Sequence, residues 1–354
     1  MKAYLRFLWT DDLPSEYLNQ LNYYISSPRA LFFSKISSIL NLVFVNHYYL
    51  IGVFVSILSF GGFYYLADIL SNSFPKSKNA AVVAFLFAPS VVLWSSGLIK
   101  ESIATSSLAL IIGTVIANQK LGKGLKVKQW ILLIISFYFA WKLKYYYVGV
   151  LVPTLIASWL LYSVSKKLQS AFFHKYRVFT WVLALAVGIM IISTTQINLQ
   201  FNYLPEVIKI NHDAFVAKSQ EGDYIVFNHL DSNWGSILAN SPKAVWSGLF
   251  RPFFWDINTG FKLISSIENL VLLVLLLWNL PSLRWGMNSE DNLWLTAGII
   301  YILALAVFLS LSTPNLGTLT RYKAGFSFLF TYLILFEHPI FAIISTRIQK
   351  WKNR

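Results

Sequence analysis

Side chains that could do chemistry interrupt the apolar sequence between Ala88 and Ser102, which reads APSVVLWSSGLIKES. Trp94, two serines and a glycine precede the adjacent Lys100 and Glu101. Because ionisable groups at the end of membrane helices are costly unless partnered or hydrated, Lys100 and Glu101 are candidate site residues, with Trp94 beside them. The alternative is structural: Lys100 extends to the lipid headgroups, and Glu101 begins a helix at the positive end of its dipole.

Further basic side chains stand at the ends of other apolar runs. They are Lys142, Lys144, Arg251, Arg321 and Lys323. The charge pattern of the loops puts them, with Lys100, on the outer face of the membrane, where the positive-inside rule predicts few. Several cations at one face suit a phosphate or pyrophosphate group, since Arg binds it bidentately and Lys as a point charge. The alternative is that each cation binds a lipid phosphate separately.

Several carboxylates are candidates for a general base. Glycosyl transfer with inversion needs a group that takes the proton of the acceptor hydroxyl, and an Asp or Glu is the usual choice. Asp11 and Asp12 lie among tyrosines that suit a sugar, although adjacent aspartates before a proline equally form a helix N-cap. Glu101 and Asp256 compete for the role, Asp256 because it follows a tryptophan at the outer interface. Glu268, inside an apolar run near the outer face, is a further competitor.

The composition excludes most soluble functions. The 354 residues are 56% hydrophobic and only 12% charged, whereas a soluble domain has about 25% charged residues. The chain lacks cysteine, which excludes disulfides and thiolate sites, and its five histidines have no ligand spacing. We therefore predict no metal site and no cofactor, although nothing in the sequence rules out a divalent ion. We attribute the net charge of +14 to contacts with lipid headgroups, to positive-inside anchoring and to an anionic substrate, rather than to binding of nucleic acid.

The apolar runs predict an all-α integral membrane protein with about nine transmembrane helices, interfacial helices and one larger extracytoplasmic loop. Residues 1–46 would form an extracytoplasmic stretch with an interfacial helix, and 47–195 a first transmembrane bundle. Residues 196–258 would form the loop with an interfacial helix, and 259–354 a second bundle with a basic tail. The basic loops and the tail predict a cytoplasmic C-terminus.

Three segments carry a resemblance to a known group of proteins. They are APSVVLWSSGLIKES, LFRPFFWD followed by SSIENL, and NLGTLTRYK. In this order the chain resembles bacterial multi-pass proteins near the GT-C type glycosyltransferases and the Wzy/EpsG-like polysaccharide polymerases. The resemblance implies that an acidic residue of the first external loop, here Asp11 or Asp12, is catalytic, and that Arg251 and Arg321 hold a lipid pyrophosphate. In GT-C enzymes that loop follows an initial span, whereas this sequence shows no apolar span before Asp11. This difference favours Glu101 and Asp256 over Asp11 and Asp12 as the catalytic residue.

These expectations combine into a multi-pass protein of the bacterial inner membrane. It would transfer a sugar from a polyprenyl-phosphate-linked donor to an acceptor glycan or lipid at the extracytoplasmic face, with cations stabilising the leaving phosphate. Its partners would be membrane lipid, the donor, the acceptor and other envelope-synthesis proteins. Two alternatives stay open: a transporter or flippase of lipid-linked glycans, which the lack of an internal repeat disfavours, and a non-catalytic membrane scaffold.

Overall fold

The computed structural model describes residues 27–122, 124–168, 176–282 and 290–352, and these ranges are helical, with one isolated β-bridge and no strand. The helices of the first half are α1 (Pro28–Val43), α2 (Tyr48–Ser73), α3 (Lys78–Val82), α4 (Pro89–Trp94), α5 (Lys100–Lys120), α6 (Val127–Leu168) and α7 (Arg177–Thr195). Those of the second half are α8 (Leu204–Val216), α9 (Trp234–Phe250), α10 (Gly260–Asn279), α11 (Glu290–Ser312), α12 (Leu316–Tyr322), α13 (Ala324–Leu335) and α14 (Pro339–Lys352). A π-helical turn, Val83–Phe87, follows α3.

Several of these helices are long and apolar enough to cross a membrane. Within the described ranges six qualify, and α13 with the first part of α14, bent by 66°, would make a seventh. The six lie in α2, α5, α6, α7, α10 and α11. The protein is therefore an all-α, multi-pass membrane protein, whereas the count of nine spans and the GT-C type of fold stay predictions.

The second half of α6 runs parallel to α5. Lys144 Nζ lies 2.8 Å from Glu101 Oε1 at the start of α5. The Tyr162 hydroxyl donates to the carbonyl of Gln119 at the end of α5, at 2.9 Å. Both helices thus run from the same end of the bundle to the same opposite end. We call the end at Glu101 and Lys144 the cavity end, and the end at Gln119 the far end.

The first half of α6 must run in the opposite direction, because the connection from α5 is short. Val127 follows Lys120 by seven residues, which reach about 25 Å at most. If α6 were straight, its first half would extend beyond the cavity end, whereas α5 ends at the far end. Val127 would then lie about 55 Å from Lys120, at the 1.5 Å rise per residue of a helix. The chain therefore folds back at Lys144, whose φ of −147° and ψ of 62° are not helical.

The apolar run from Ala80 to Trp94 is broken in the structure. Ala88 is extended, with φ −62° and ψ 124°, and α4 begins at the next residue, Pro89. Proline supplies the reason, since its ring disfavours the α-conformation of the preceding residue and is itself tolerated in the first helical turn. The run therefore crosses the core as short helical pieces rather than as one helix.

The two predicted transmembrane bundles share one core. Phe63 of α2 packs edge-on against Phe328 of α13, with ring centroids 5.4 Å apart. The Ser77 and Tyr332 hydroxyls hydrogen-bond at 2.8 Å. Most buried apolar residues between 63 and 335 form one cluster, and a second, smaller cluster surrounds Trp181 and Leu293. The helix that carries Lys100 and Glu101 and the region that carries Arg321 are consequently held in one rigid frame.

The segment between α7 and α9 covers the cavity end and is attached where α11 meets α12. The ring of His212 in α8 makes a hydrogen bond from Nδ1 to the carbonyl of Leu311, at 2.9 Å. Further along, the Ile225 amide donates to the Pro314 carbonyl at 3.0 Å. Because α12 begins directly after this attachment, α8 and Arg321 of α12 are positioned together.

Gly325 provides a test of the packing at the cavity end. A Cβ on this residue would lie 2.4 Å from Tyr147 Cε1 and so clash with the tyrosine ring. That ring is fully buried, and its hydroxyl donates to the Tyr322 carbonyl. We expect Gly325→Ala to lower the free energy of unfolding by about 1–3 kcal/mol, because the ring has no free space to enter. Thermal unfolding of the purified protein in detergent measures the effect.

Gly61→Ala is the matched control, since a Cβ there meets nothing within 4 Å. In a helix this exchange is expected to be neutral or slightly stabilising. Equal melting temperatures for the two variants would contradict the packing described for Tyr147.

Candidate functional site

A cavity of about 510 Å³ lies at the cavity end, between the starts of α1 and α5, the reversal of α6, the end of α11, and α8 and α12. Five basic residues line it: Arg29, Lys100, Lys144, Lys218 and Arg321. No acidic residue lines it within the described ranges. The remaining lining is a mixture of polar, aromatic and aliphatic residues, so the five cations make the cavity strongly electropositive.

Glu101 lies beneath the cavity and holds two of these cations. Its Oε1 is 2.8 Å from Lys144 Nζ and 3.4 Å from Arg321 Nε. The carboxylate and the ammonium are each 4% exposed, whereas the Arg321 side chain is 42% exposed. A buried ion pair of this kind keeps both groups charged, since either one alone would be strongly destabilised. Glu101 thus fixes where the positive charges stand.

Local sequence places Glu101 and Lys144 at this point. Gly97 adopts a φ of 76°, which favours glycine, in the turn that precedes α5. The Ser102 hydroxyl bonds back to the carbonyls of Ser96 and Gly97 at 3.0 and 2.9 Å, which closes that turn. The turn brings Glu101 into the first turn of α5, where the helix dipole favours an acidic residue.

Tyrosine rings lie against the cations. Lys144 Nζ lies 3.5 Å from the centroid of the Tyr322 ring, and Arg321 Cζ lies 5.2 Å from it. Arg29 Cζ lies 5.5 Å from the Tyr145 ring. Burial alone would raise the pKa of the Tyr322 phenol, but the charges of Lys144 and Arg321 outweigh it and lower that pKa below its ordinary value.

Two polar atoms next to the cavity lack a hydrogen-bond partner within the described residues. They are the Tyr146 hydroxyl and Arg321 Nε, which is close to Glu101 but not aligned for a hydrogen bond. Both atoms are shielded from solvent, and other buried atoms without a partner, such as Trp294 Nε1 and Ser310 Oγ, belong to residues outside the cavity lining. The case for an anion at this cavity therefore rests on the charges of its lining.

Arg251 and Asp256, both predicted as site residues, lie away from this cavity and bind each other. Arg251 Nε donates to Asp256 Oδ2 at 3.0 Å, and the Phe253 amide donates to the same oxygen at 2.8 Å. Burial alone would raise the pKa of Asp256, but the hydrogen bonds from Arg251 and Phe253 lower it below its usual range. The two side chains therefore stabilise the connection between α9 and α10, and neither is directed at the cations around Glu101.

The other predicted residues also lie outside the cavity lining. Lys323 is buried, and its Nζ donates to the carbonyls of Leu249 and Arg251 at 2.8 and 3.0 Å. Lys142 is exposed, and Trp94 is half-buried before the turn to α5. Asp11 and Asp12 lie outside the described residues. Of the predicted set, the structure thus brings together Lys100, Glu101, Lys144 and Arg321.

Sequence reasoning missed Arg29, Lys218, Tyr146 and Tyr322. The signal for the tyrosines was present, since Tyr146 follows Lys144 closely and Tyr322 directly follows Arg321. Lys218 could not be found from its surroundings, because α8 meets the cavity only through the attachment to α11. Within the described ranges no cluster of three His, Asp or Glu side chains could hold a metal ion.

Comparisons of the chain with protein-family models, with curated proteins and with solved structures find no significant match. The resemblance to GT-C type glycosyltransferases and Wzy/EpsG-like polymerases therefore stays an expectation. What the cavity does has to be inferred from its own charges and geometry.

The buried pair of Glu101 and Lys144 predicts a large stability effect. Glu101→Gln leaves the Lys144 ammonium buried without a counter-charge, so we expect it to lower the free energy of unfolding by about 3–5 kcal/mol. Thermal unfolding in detergent measures the loss. Adding Lys144→Met to Glu101→Gln should recover part of it, because the unpaired charge is then removed.

Asp213→Asn is the matched control for this change. It breaks the Lys209–Asp213 pair, whose side chains are 31% and 56% exposed, and exposed pairs contribute about 0–1 kcal/mol. If Glu101→Gln were no more destabilising than Asp213→Asn, the ion pair would not hold the cavity end together.

Proposed function

We propose that the cavity binds the phosphate or pyrophosphate group of a polyprenyl-linked sugar, and that the protein transfers this sugar to an acceptor glycan or lipid. The observation that carries the proposal is the lining of one cavity by five cations and, within the described ranges, by no acidic residue. The transfer would take place at the extracytoplasmic face of a bacterial inner membrane.

Electrostatics support an anionic ligand. Within the described ranges the carboxylate paired with these five cations is Glu101, so their charge there is largely uncompensated. Like charges held together near low-dielectric protein repel one another, and a bound phosphate relieves this repulsion through charge-assisted hydrogen bonds. The cavity volume, about 510 Å³, lies within the range of small-molecule sites and leaves room for groups beside a phosphate.

The distribution of lysines supports an outward-facing cavity. Lys76, Lys78, Lys126 and Lys128 are exposed at the far end of the bundle, as expected of cytoplasmic loops under the positive-inside rule. Lys100 and Lys144 instead line a cavity at the opposite end. The cations of the two ends therefore have different surroundings. Those of the far end are accounted for by the positive-inside rule, whereas those of the cavity end are placed where they could bind a ligand.

The position of the cavity favours transfer over transport. A transporter is expected to hold its substrate near the membrane midplane, between repeated halves. Here the cavity lies where α5 begins and α11 ends, which is the level of lipid headgroups in the proposed orientation. Lys100, Lys218 and Arg321 would stabilise the negative charge that develops on the leaving phosphate. Glu101, held by two cations, would position them.

Binding of pyrophosphate tests the proposal. We expect Arg321→Gln and Lys218→Gln each to weaken binding of inorganic pyrophosphate and of a polyprenyl diphosphate by about 10- to 100-fold, the value of one charge-assisted hydrogen bond. Calorimetry on the protein in nanodiscs of neutral lipid gives the affinities. Lys142→Gln is the matched control, because Lys142 is exposed and lies outside the cavity lining.

Gene replacement in the source bacterium adds a test of the transfer itself. A strain with Arg321→Gln should lose a surface glycan that the Lys142→Gln strain keeps, at equal amounts of membrane protein. Unchanged glycan in the Arg321→Gln strain, or equal pyrophosphate affinity of the two variants, would refute the proposal.

A further inference from the structure

The proposed transfer needs a group that accepts the proton of the acceptor hydroxyl, and three candidate carboxylates among the described residues, Glu101, Asp256 and Glu268, are poorly suited to it. Glu101 is 4% exposed and paired with Lys144 and Arg321. Asp256 is held by Arg251 outside the cavity lining. Glu268 accepts hydrogen bonds from the amide and the hydroxyl of Ser90, at 2.9 and 2.8 Å. Protonating Glu101 would moreover leave the buried ammonium of Lys144 unpaired.

Tyr322 has the position that the carboxylates lack. It is half-buried and lines the cavity, and its ring lies against Lys144 Nζ at 3.5 Å on one side of the site. Arg321 Cζ is 5.2 Å from the same ring. The ring is fixed by its neighbours, with the Tyr146 centroid 6.4 Å away and the Tyr322 carbonyl accepting the Tyr147 hydroxyl at 2.7 Å.

We propose that Tyr322 is the general base of the site: its phenolate oxygen takes the proton of the acceptor hydroxyl while the cavity cations hold the phosphate of the donor. The inference rests on the proposed function and assigns its proton transfer to a residue. Phenolate would be favoured by Lys144 and Arg321 and opposed by burial and by Glu101. The cations Lys100 and Arg29 and the phenols of Tyr146 and Tyr147 are the further titratable or charged groups nearby. The lowered pKa of the Tyr322 phenol agrees with this balance.

The phenolate oxygen of Tyr322 binds the proton, and the electrons of the acceptor O–H bond stay on the acceptor oxygen. That oxygen forms a bond to the anomeric carbon of the donor sugar. The bond from this carbon to the phosphate oxygen breaks, and its electron pair leaves with the phosphate, which the cations stabilise. Tyr322 then releases the proton to water.

The ionisation of Tyr322 can be followed directly. The absorbance of tyrosinate at about 295 nm, titrated with pH in the purified protein, should show a first phenol that ionises below the ordinary tyrosine pKa of about 10. This step should vanish in Tyr322→Phe and persist in Tyr64→Phe, whose ring is exposed on α2. Inorganic pyrophosphate should move the step to higher pH, because a bound anion disfavours phenolate.

The catalytic role needs a readout of transfer. Tyr322→Phe should bind pyrophosphate within about threefold of the unaltered protein and yet reduce the glycan in the source bacterium by at least about 100-fold, the usual contribution of a general base. Normal glycan in this strain, or an unchanged titration in Tyr322→Phe, would overturn the assignment of Tyr322 alone. Failure of the unaltered protein to bind pyrophosphate would instead refute the proposed function, and with it this inference.

Discussion

The buried ion pair between Lys144 and Glu101 is the interaction on which the cavity end depends. It joins the point where α6 folds back to the first turn of α5, two places that are more than forty residues apart in sequence. Removing two charges from water is costly, and only close pairing makes their burial tolerable. The pair therefore fixes the reversal of α6 in one place, and with it the tyrosines that follow Lys144.

The pair also explains how so many cations are held around one cavity. Glu101 compensates Lys144 fully and Arg321 in part, and aromatic rings support the rest, since the face of a tyrosine attracts a cation. Neither arrangement neutralises the cavity as a whole. The cations are thus stabilised enough for the protein to fold, but they retain an attraction for an anion that enters from outside.

Sequence reasoning reached the helical class, most of the apolar runs, Glu101 and three of the cations around it. It did so because an apolar run of sufficient length has few alternatives in a membrane, and because an ionisable residue at its end stands out. It could not distinguish Arg251 and Lys323 from Arg321, because all three lie at the same end of the bundle. Their difference depends on which acceptor lies within reach, and Asp256 and the carbonyl of Leu249 were placed by tertiary packing. The break at Ala88 could be predicted from Pro89. The place of Lys218 in the cavity lining could not be predicted, because it depends on how α8 attaches to α11.

The contrast between these two groups of polar residues argues for where chemistry takes place. Arg251, Asp256 and Lys323 have their hydrogen-bonding capacity taken up by neighbours, which is typical of residues that stabilise a fold. Around the cavity, five cations share one paired carboxylate, Glu101, within the described residues, and Tyr322 lies against two of these cations. A polar network left incomplete inside a protein is unfavourable unless a ligand completes it. The cations that line the cavity, rather than every conspicuous charge of the sequence, are therefore the ones whose charge a substrate would complete.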